Sequence, residues 1–243
     1  MKRRKSDSRL YRGRKLDVDL REDPRSENYR MADVIPAAMT DVFTKYWECP
    51  EIFDQGREGK CVGYAGIHWF GSAPFIQKIS HAIADMFYAG AQRNDERPGE
   101  NYEGTSITGL MAYLKSKGHI DSYRWVRSML ELQQTICHHG PVVVGCEWRE
   151  GCFEPDRDGF ITFTGELRGG HATVWRGVNM EQGYILIQQS WGINHGIDGS
   201  VRMRFAEVQK LLRTHPQITL PLPIKRLLTM TLPPKRPWWK FWR

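Results

Sequence analysis

The chain changes character near its middle, because helical patterns fill the first half and β-rich runs fill the second. Apolar residues recur at helical spacing in 61–70 and in 76–92. In the second stretch the apolar side comprises Ile79, Ile83, Met86 and Phe87. Beyond a break at Gly140–Pro141, the β-rich runs are 142–148, 159–165, 171–178, 184–189 and 200–205. Helices first and strands later predict an α+β fold, and two lobes that meet at a cleft would suit that order.

Capping residues set the ends of the other predicted helices. Ser106 is the expected N-cap of the helix ITGLMAYLKSK, and Gly118 is its expected stop. Ser128 and Glu131 fit a capping box that opens a further short helix. A last helix, AEVQKLLR, ends the predicted domain near Arg213.

Three parts of the chain differ in composition. Residues 1–40 are dense in charged residues and poor in periodic apolar ones, so we expect a disordered or surface-wrapped arm. Residues 41–213 hold the periodic patterns and form one predicted domain, which 40% hydrophobic content across 243 residues can support. Residues 214–243 form a basic, Pro- and Trp-rich tail that ends in PPKRPWWKFWR.

Charge and tail composition suggest partners without identifying one. The formal net charge of +7 favours acidic surfaces in general. A nucleic-acid-binding module would rest on that charge alone, so no specific nucleic acid is predicted. The tail's tryptophans alternate with cations, which is typical of an anchor to an anionic membrane surface or to a groove on a protein partner. Packing of the tail on the chain's own domain is the third interpretation.

The sequence lacks the marks of a membrane-spanning or secreted chain. It has no run of about 18 apolar residues. Its basic beginning, MKRRKSDSRLYRGRK, is not followed by an apolar region. We therefore expect a cytoplasmic location, with virion or membrane association through the tail as a further possibility.

Cysteine and histidine spacing predicts neither a metal site nor a cofactor. The five cysteines form no CxxC pair, and free thiols are expected where no secretory signal exists. This expectation includes Cys146 and Cys152. His138 and His139 are adjacent, so their side chains point apart. His195 lies in a Gly-rich turn and is expected at the surface of a loop.

Cys61 stands where a protein can activate a thiol. The segment 54–65 reads DQGREGKCVGYA, and the predicted helix begins at or just before Cys61. A helix N-terminus favours the thiolate, which is the nucleophilic form. The Cys61 N–H would face a developing oxyanion, and the side-chain amide of Gln55 could add a second donor. Gly56 and Gly59 let the preceding loop fold tightly.

Two later segments supply the partners that a nucleophilic thiol requires. GGHATVWRGV places His171 at the start of a strand, and an imidazole can hold the thiolate and protonate a leaving amine. YILIQQSWGINHGIDG ends a strand at Gln189, a polar group that could fix the orientation of the imidazole.

These three segments resemble the papain family of cysteine peptidases. The family carries Gln-Gly-x-x-Gly-x-Cys, then Gly-His-Ala, then Asn-Ser-Trp-Gly, and GPVVVG (140–145) resembles its Gly-Pro-Val strand. The resemblance covers about residues 47–210 and is greatest to compact members from bacteria and their viruses. It implies a papain-like two-lobe fold, with a helical left lobe built on the Cys61 helix and an antiparallel, β-barrel-like right lobe.

The resemblance also implies roles for single residues. Cys61 matches the nucleophile, His171 the general base, Gln55 the oxyanion-hole glutamine and Trp191 the indole that shields the histidine. Gln189 stands where the orienting asparagine is expected. The implied activity is that of a cysteine endopeptidase, which cleaves protein or peptide substrates through a thiolate–imidazolium pair and an acyl-enzyme, without metal or cofactor.

Three departures from the family pattern bear on activity. Glu58 replaces a cysteine that normally pairs, so one family disulfide is absent. Lys60 would favour the thiolate if its charge points inward. Gln189 has the same acceptor carbonyl as asparagine on a longer stem, so we expect weakened rather than abolished activity. Gln188 should point to the opposite face of its strand.

Two other functions stay open at this point. One is a papain-like scaffold that no longer catalyses and serves in binding or structure. The other is acyl transfer or isopeptide cleavage by the same Cys–His pair. No inhibitory segment of ordinary length precedes the domain, so either residues 1–40 fill that role or no zymogen exists.

Overall fold

The computed structural model describes residues 10–21, 29–31, 41–96 and 103–224. The helices are α1 (Cys61–Gly71), α2 (His81–Gln92), α3 (Ile107–Ser116), α4 (Met129–His138) and α5 (Phe205–Leu212). The strands are β1 (Leu10–Tyr11), β2 (Arg14–Lys15), β3 (Val18–Asp19), β4 (Lys45–Tyr46), β5 (Thr105–Ser106), β6 (Ile120–Trp125), β7 (Val142–Arg149), β8 (Phe160–Ile161), β9 (Leu167–Asn179), β10 (Tyr184–Gln188), β11 (Ser200–Arg204) and β12 (Gln217–Pro223). Within these ranges, each helix is too short or too polar to cross a bilayer.

A mostly antiparallel sheet of eight strands organises the second half of the chain. Its order is β6-β12-β7-β9-β10-β11-β8, and β4 also pairs with β9. The pairing of β11 with β8 is parallel. Within the described residues β6 and β8 stand at opposite edges, so the sheet stays open and the expected barrel-like closure is absent. The predicted α+β class is confirmed.

The buried apolar residues fall into two clusters, which correspond to the two predicted lobes. The first combines side chains of α1, α2 and α3 with sheet residues such as Ala172 and Val174. The second lies around Trp148 and Trp175 and includes side chains of α4 and α5. Strand β9 contributes to both clusters, so it holds the two lobes together.

Helix α1 is the innermost element of the first cluster. All of its residues are buried, as its nearly continuous apolar sequence predicts. Gly63 lets α2 approach closely, because a Cβ at this position would lie 2.4 Å from the carbonyl oxygen of Ala84. The start of α1 is therefore fixed by packing rather than by a side-chain cap, and Lys60 at the N-cap position makes no capping hydrogen bond.

Two predicted caps are confirmed, whereas the boundary of α2 differs from its prediction. The Ser106 side chain accepts from the Gly109 N–H at 3.0 Å. Helix α2 starts at His81 rather than at 76, because Ser80 is its N-cap. Met86 is 44% exposed, so it does not belong to the buried side of that helix.

The Ser128 cap is also confirmed, but the expected capping box is not complete. Ser128 accepts from the Glu131 N–H at 3.2 Å. The Glu131 carboxylate accepts from the Arg127 N–H at 2.7 Å, one residue before the expected donor. The β-rich run 159–165 is shorter than predicted, since only β8 pairs within it.

Strand β12 extends the sheet beyond Arg213, where the sequence places the end of the domain. It lies between β6 and β7 and pairs with both. Its prolines favour the interpretation as a tail, but pairing with β7 stops at Thr219, before the first of them. The tail's Trp-rich end, by contrast, lies outside the described residues.

Truncating Ile218 in β12 should destabilise the whole domain. Its side chain is fully buried in the second cluster. We expect Ile218→Ala to lower the free energy of unfolding by about 2–5 kcal/mol, through lost burial and the resulting cavity. Urea unfolding measures this, with Ile193→Ala as the matched control because Ile193 is 59% exposed. Equal effects of the two substitutions would contradict the assignment of β12 to the core.

Candidate active site

Cys61 is the first residue of α1, and its thiol is fully buried. Burial raises the pKa of the thiol to about 11, and hydrogen bonds from the backbone of Asp17 and Ala172 oppose this rise. Ala172 directly follows His171, so the sulfur lies beside the strand that carries the predicted base. The N-terminal end of α1 also favours an anion at this position.

His171 lies on β9, and its two ring nitrogens differ in their hydrogen bonding. Its Nε2–H donates to the side-chain carbonyl Oε1 of Gln189 at 3.0 Å. Among the described residues Nδ1 has no hydrogen-bond partner. Burial lowers the pKa of His171 to about 3, and the hydrogen bond to Gln189 acts in the opposite direction. In this arrangement the ring is neutral, with its basic nitrogen at Nδ1.

Aromatic rings enclose the His171 imidazole. Trp191 stacks on it with ring centroids 4.8 Å apart and an interplanar angle of 21°. Trp148 meets it edge-on at 4.8 Å. These two rings keep water away from the contact between His171 and Gln189, which is the role that the sequence predicts for Trp191.

Gln189 directly follows β10 and is fully buried. Its backbone N–H donates to the Gly199 carbonyl at 3.0 Å, which fixes where the longer side chain begins. Gln188 points elsewhere, as the alternation along a strand predicts, and its side chain donates to Gly199 and accepts from Arg176. The extra methylene of Gln189 is therefore compatible with a normal hydrogen bond to the ring.

Gln55 is tied to the segment that carries Gln189. Its side-chain carbonyl accepts from the Ser190 hydroxyl at 2.5 Å, and its backbone N–H donates to the Ser190 carbonyl at 2.8 Å. The Nε2 donor of Gln55 contacts the carbonyl oxygens of Glu58 at 2.8 Å and Lys15 at 3.3 Å. A carbonyl from the N-terminal part of the chain thus already lies at the predicted oxyanion donor.

Lys60 does not contribute charge to the thiol. Its ammonium group lies 2.6 Å from the Glu58 carboxylate and 2.8 Å from that of Asp85. Both carboxylates raise the pKa of Lys60 and neutralise its field. The inward orientation considered for Lys60 is therefore wrong.

Residues 14–19, here called the arm strand, cross the groove between the two lobes. Arg14 pairs with Asp54 at 2.6 Å and donates to the Trp191 carbonyl at 3.2 Å. Further along, the Asp17 carbonyl accepts from Thr105, and β3 pairs parallel with β5. The arm strand therefore passes directly over Cys61 and beside His171.

Glycines make room for the arm strand on both walls of the groove. A Cβ at Gly59 would lie 2.4 Å from the Asp17 carboxylate. A Cβ at Gly170 would lie 2.3 Å from the Val18 carbonyl, and one at Gly145 would lie 3.2 Å from the Val18 side chain. The fit is close, and both the thiol and the imidazole are inaccessible to water.

The sequence missed several residues of this site. Trp148 carries no motif of its own, and Ser190 is part of the Ser-Trp-Gly motif but had no predicted role, so both are recognised only by their contacts. His195, expected at the surface, is half-buried and meets Trp191 edge-on at 4.7 Å, and burial lowers the pKa of His195 to about 4. The sequence places the arm strand in a charged arm that is expected to be disordered or wrapped on the surface. The structure instead buries two apolar side chains of this strand, Leu16 and Val18.

The described part of the chain contains no group of three or more His, Cys, Asp or Glu side chains that could hold a metal ion. All five cysteines are free, as predicted. What the site offers is therefore a thiol at a helix N-terminus, an imidazole with one fixed nitrogen, and amide donors.

Comparison with known proteins shows which family and which solved structures this chain is similar to. The family described as papain family cysteine protease matches residues 80–216, a range that includes His171 and Gln189 and begins after Cys61. Xylellain, a cysteine protease from Xylella fastidiosa, is similar with a TM-score of 0.64 and 16% identity, over 89% of this chain and 99% of that chain. Procathepsin B S9 from Trypanosoma congolense is similar with a TM-score of 0.51 and 13% identity, over 86% of this chain and 83% of that chain. No curated protein matches the sequence.

The family match covers more than half of the chain, and both structural neighbours have the same two-lobe architecture. The chain belongs to the papain family of cysteine proteases.

Proposed function

We propose that the chain is a cysteine endopeptidase in which Cys61 is the nucleophile and His171 the general base. The observation that carries the proposal is the hydrogen bond of His171 Nε2 to Gln189, which leaves Nδ1 as the basic nitrogen on a strand beside the thiol. A buried imidazole with one fixed and one bare nitrogen is the arrangement that proton transfer requires.

The proposed reaction follows from these positions. His171 Nδ1 takes the thiol proton, and the Cys61 sulfur attacks the carbonyl carbon of the scissile peptide bond. The Cys61 N–H and the Gln55 Nε2 stabilise the oxyanion. His171 then donates its proton to the leaving amine, which leaves a thioester at Cys61. Water, deprotonated by His171, hydrolyses that thioester and restores the thiol.

The course of the arm strand supports internal cleavage of a protein substrate. It enters the groove beside Trp191 and leaves it past β5, where the Arg21 backbone carbonyl accepts from the Gln217 side-chain amide at 3.0 Å. An extended chain can therefore continue on both sides of Cys61. A groove of this kind suits an endopeptidase that acts on extended protein segments.

The same strand keeps the proposed enzyme inactive. It places a carbonyl on Gln55 and excludes water from Cys61 and His171, so both groups are held in their neutral forms. We therefore assign residues 14–19 the inhibitory role that the sequence left open for the N-terminal arm. Displacing them would rehydrate the site and permit the thiolate–imidazolium pair.

Disrupting the arm strand should expose the thiol. Val18→Asp places a charge in a buried apolar position against Gly145 and Gly170. We expect the rate at which the epoxide E-64 modifies Cys61 to rise about 10- to 150-fold, the equivalent of the burial free energy of one such side chain. Intact-mass analysis follows the adduct over time. Arg12→Ala is the control, because its pair with Glu154 is exposed.

The pattern of adducts separates the competing functions. One adduct that disappears in Cys61→Ala and is strongly slowed in His171→Ala supports the proposed pair. A folded Val18→Asp protein that stays unmodified would contradict it and favour the non-catalytic scaffold. Modification of Cys61 together with thioester turnover to added amines, rather than to water, would favour acyl transfer.

Gln189 should act by positioning His171. In the Val18→Asp background, which opens the groove, we expect Gln189→Leu to lower kcat/KM on a fluorescent protein substrate about 5- to 150-fold, since the buried Nε2–H loses its acceptor. Gln189→Asn should preserve or raise activity. The pH dependence of Cys61 alkylation is the second measurement, because only a positioning role shifts thiolate formation toward higher pH in Gln189→Leu. Complete loss of activity in Gln189→Asn would contradict the assignment.

A further inference from the structure

A second site lies outside the catalytic groove, at the junction of β4 with β9. A surface cavity of about 270 Å³ opens there. It is lined by Tyr46, Trp47, Glu48, Cys49, Pro50 and Arg176. Arg176 follows His171 along β9, but none of the six residues contributes to the proposed catalytic chemistry. We call this cavity the Arg176 pocket.

Arg176 is a partly buried cation that has no acidic hydrogen-bond partner among the described residues. Its guanidinium donates to three neutral groups: the Gln188 side chain at 3.1 Å, the Trp47 carbonyl at 3.0 Å and the Ser200 hydroxyl at 2.9 Å. In the part of the chain that the structure describes, no carboxylate lies within ion-pair distance of it. Burial lowers the pKa of Arg176, and only Cys49 and Asp198 act on it as opposing charges at longer range.

A buried positive charge with spare donors is costly unless an anion neutralises it. Guanidinium carries five N–H groups, of which three are used here. The remaining two belong to the terminal nitrogens, which form the fork that recognises carboxylate and phosphate oxygens. The neutral partners hold the side chain rigidly in place, so such a fork would be preorganised.

The other walls of the pocket are held in place and carry little opposing charge. The Trp47 indole N–H donates to the Ile136 carbonyl at 2.7 Å. Outside the lining, the Lys45 ammonium lies 4.5 Å from the centre of the Trp47 ring. Glu48 is the acidic residue of the lining; it is exposed and does not act on the Arg176 charge. The Cys49 thiol lies among these residues as a natural reporter.

We propose that the Arg176 pocket binds a small oxyanion group, a carboxylate or a phosphate, through the guanidinium of Arg176. The two chemistries share an edge of two acceptor oxygens that the fork fits, and the experiment separates them. The site is independent of the catalytic groove, so its test does not depend on peptidase activity.

The test follows alkylation of Cys49 by neutral iodoacetamide, read at the Cys49 peptide by mass spectrometry. Sodium phosphate or sodium acetate is added in tens of millimolar at constant ionic strength, with sodium chloride as the reference salt. The expected result is a rate at Cys49 about fivefold lower with the bound oxyanion than with chloride. Protection by phosphate alone, or by acetate alone, identifies the preferred chemistry. Equal rates in all three salts would overturn the proposal.

Two variants of the full chain locate the effect. Arg176→Met should abolish protection of Cys49. Arg202→Met should retain it, because the Arg202 guanidinium donates to the Asp158 carbonyl and is not part of the lining. Protection that persists in Arg176→Met would rule out Arg176 as the anion ligand.

A measurement on the unmodified protein covers the case in which Arg176→Met does not fold. Iodoacetate carries the carboxylate that the pocket should attract, so its rate at Cys49 relative to iodoacetamide should exceed the same ratio in the denatured chain about fivefold. Phosphate should remove this excess. A ratio equal to that of the denatured chain would overturn the proposal. If Cys49 reacts with neither reagent, the midpoint of thermal unfolding tests the proposal instead. This midpoint must rise more with phosphate or acetate than with chloride.

Discussion

The packing of α1 against β9 determines where Cys61 and His171 lie relative to each other. Helix α1 is buried throughout, and its first residue, Cys61, belongs to the same apolar cluster as Ala172 and Val174. His171 therefore lies beside the thiol because its neighbour on β9 packs beneath the start of the helix. Any change that moves α1 along β9 would separate the proposed nucleophile from the proposed base, although neither residue had been altered.

Burial serves stability and opposes chemistry at the same two groups. A thiol and an imidazole in an apolar surrounding are most stable as neutral species, which is why the pKa of Cys61 is raised and that of His171 is lowered. Catalysis needs the charged pair, so the groove must admit water or substrate dipoles first. The arm strand excludes water, and its backbone contacts to Cys61 and Gln55 do not offset the loss of hydration. The enclosed site is thus stable and unreactive for one physical reason.

The sequence predicts the parts of this structure that local patterns encode. The start of α1 at Cys61, the caps at Ser106 and Ser128 and the break before β7 follow from periodicity and capping chemistry. Prediction from the sequence fails where packing between distant parts of the chain determines the structure. Strand β12 is stable only between two partners that lie far away in sequence. Its prolines argue against a strand, so the sequence pattern does not indicate one. The buried Leu16 and Val18 stand in a segment whose charges dominate its composition, and only the glycines on the groove walls reveal what lies against them.

The groups that would hold a substrate are the groups that hold the arm strand. Gln55 donates to the Lys15 carbonyl, so under the proposed mechanism a stronger oxyanion donor would also hold the arm strand more tightly. Catalytic power and release are therefore coupled at Gln55 and must be balanced elsewhere. The ion pairs of Arg14 with Asp54 and of Lys15 with Glu103 are suited to this, because they touch the arm strand at its end and not the reacting atoms. Pairs of this kind, whose carboxylates are exposed, contribute on the order of 1 kcal/mol or less and weaken with salt, so they can shift the population in which the arm strand covers the groove.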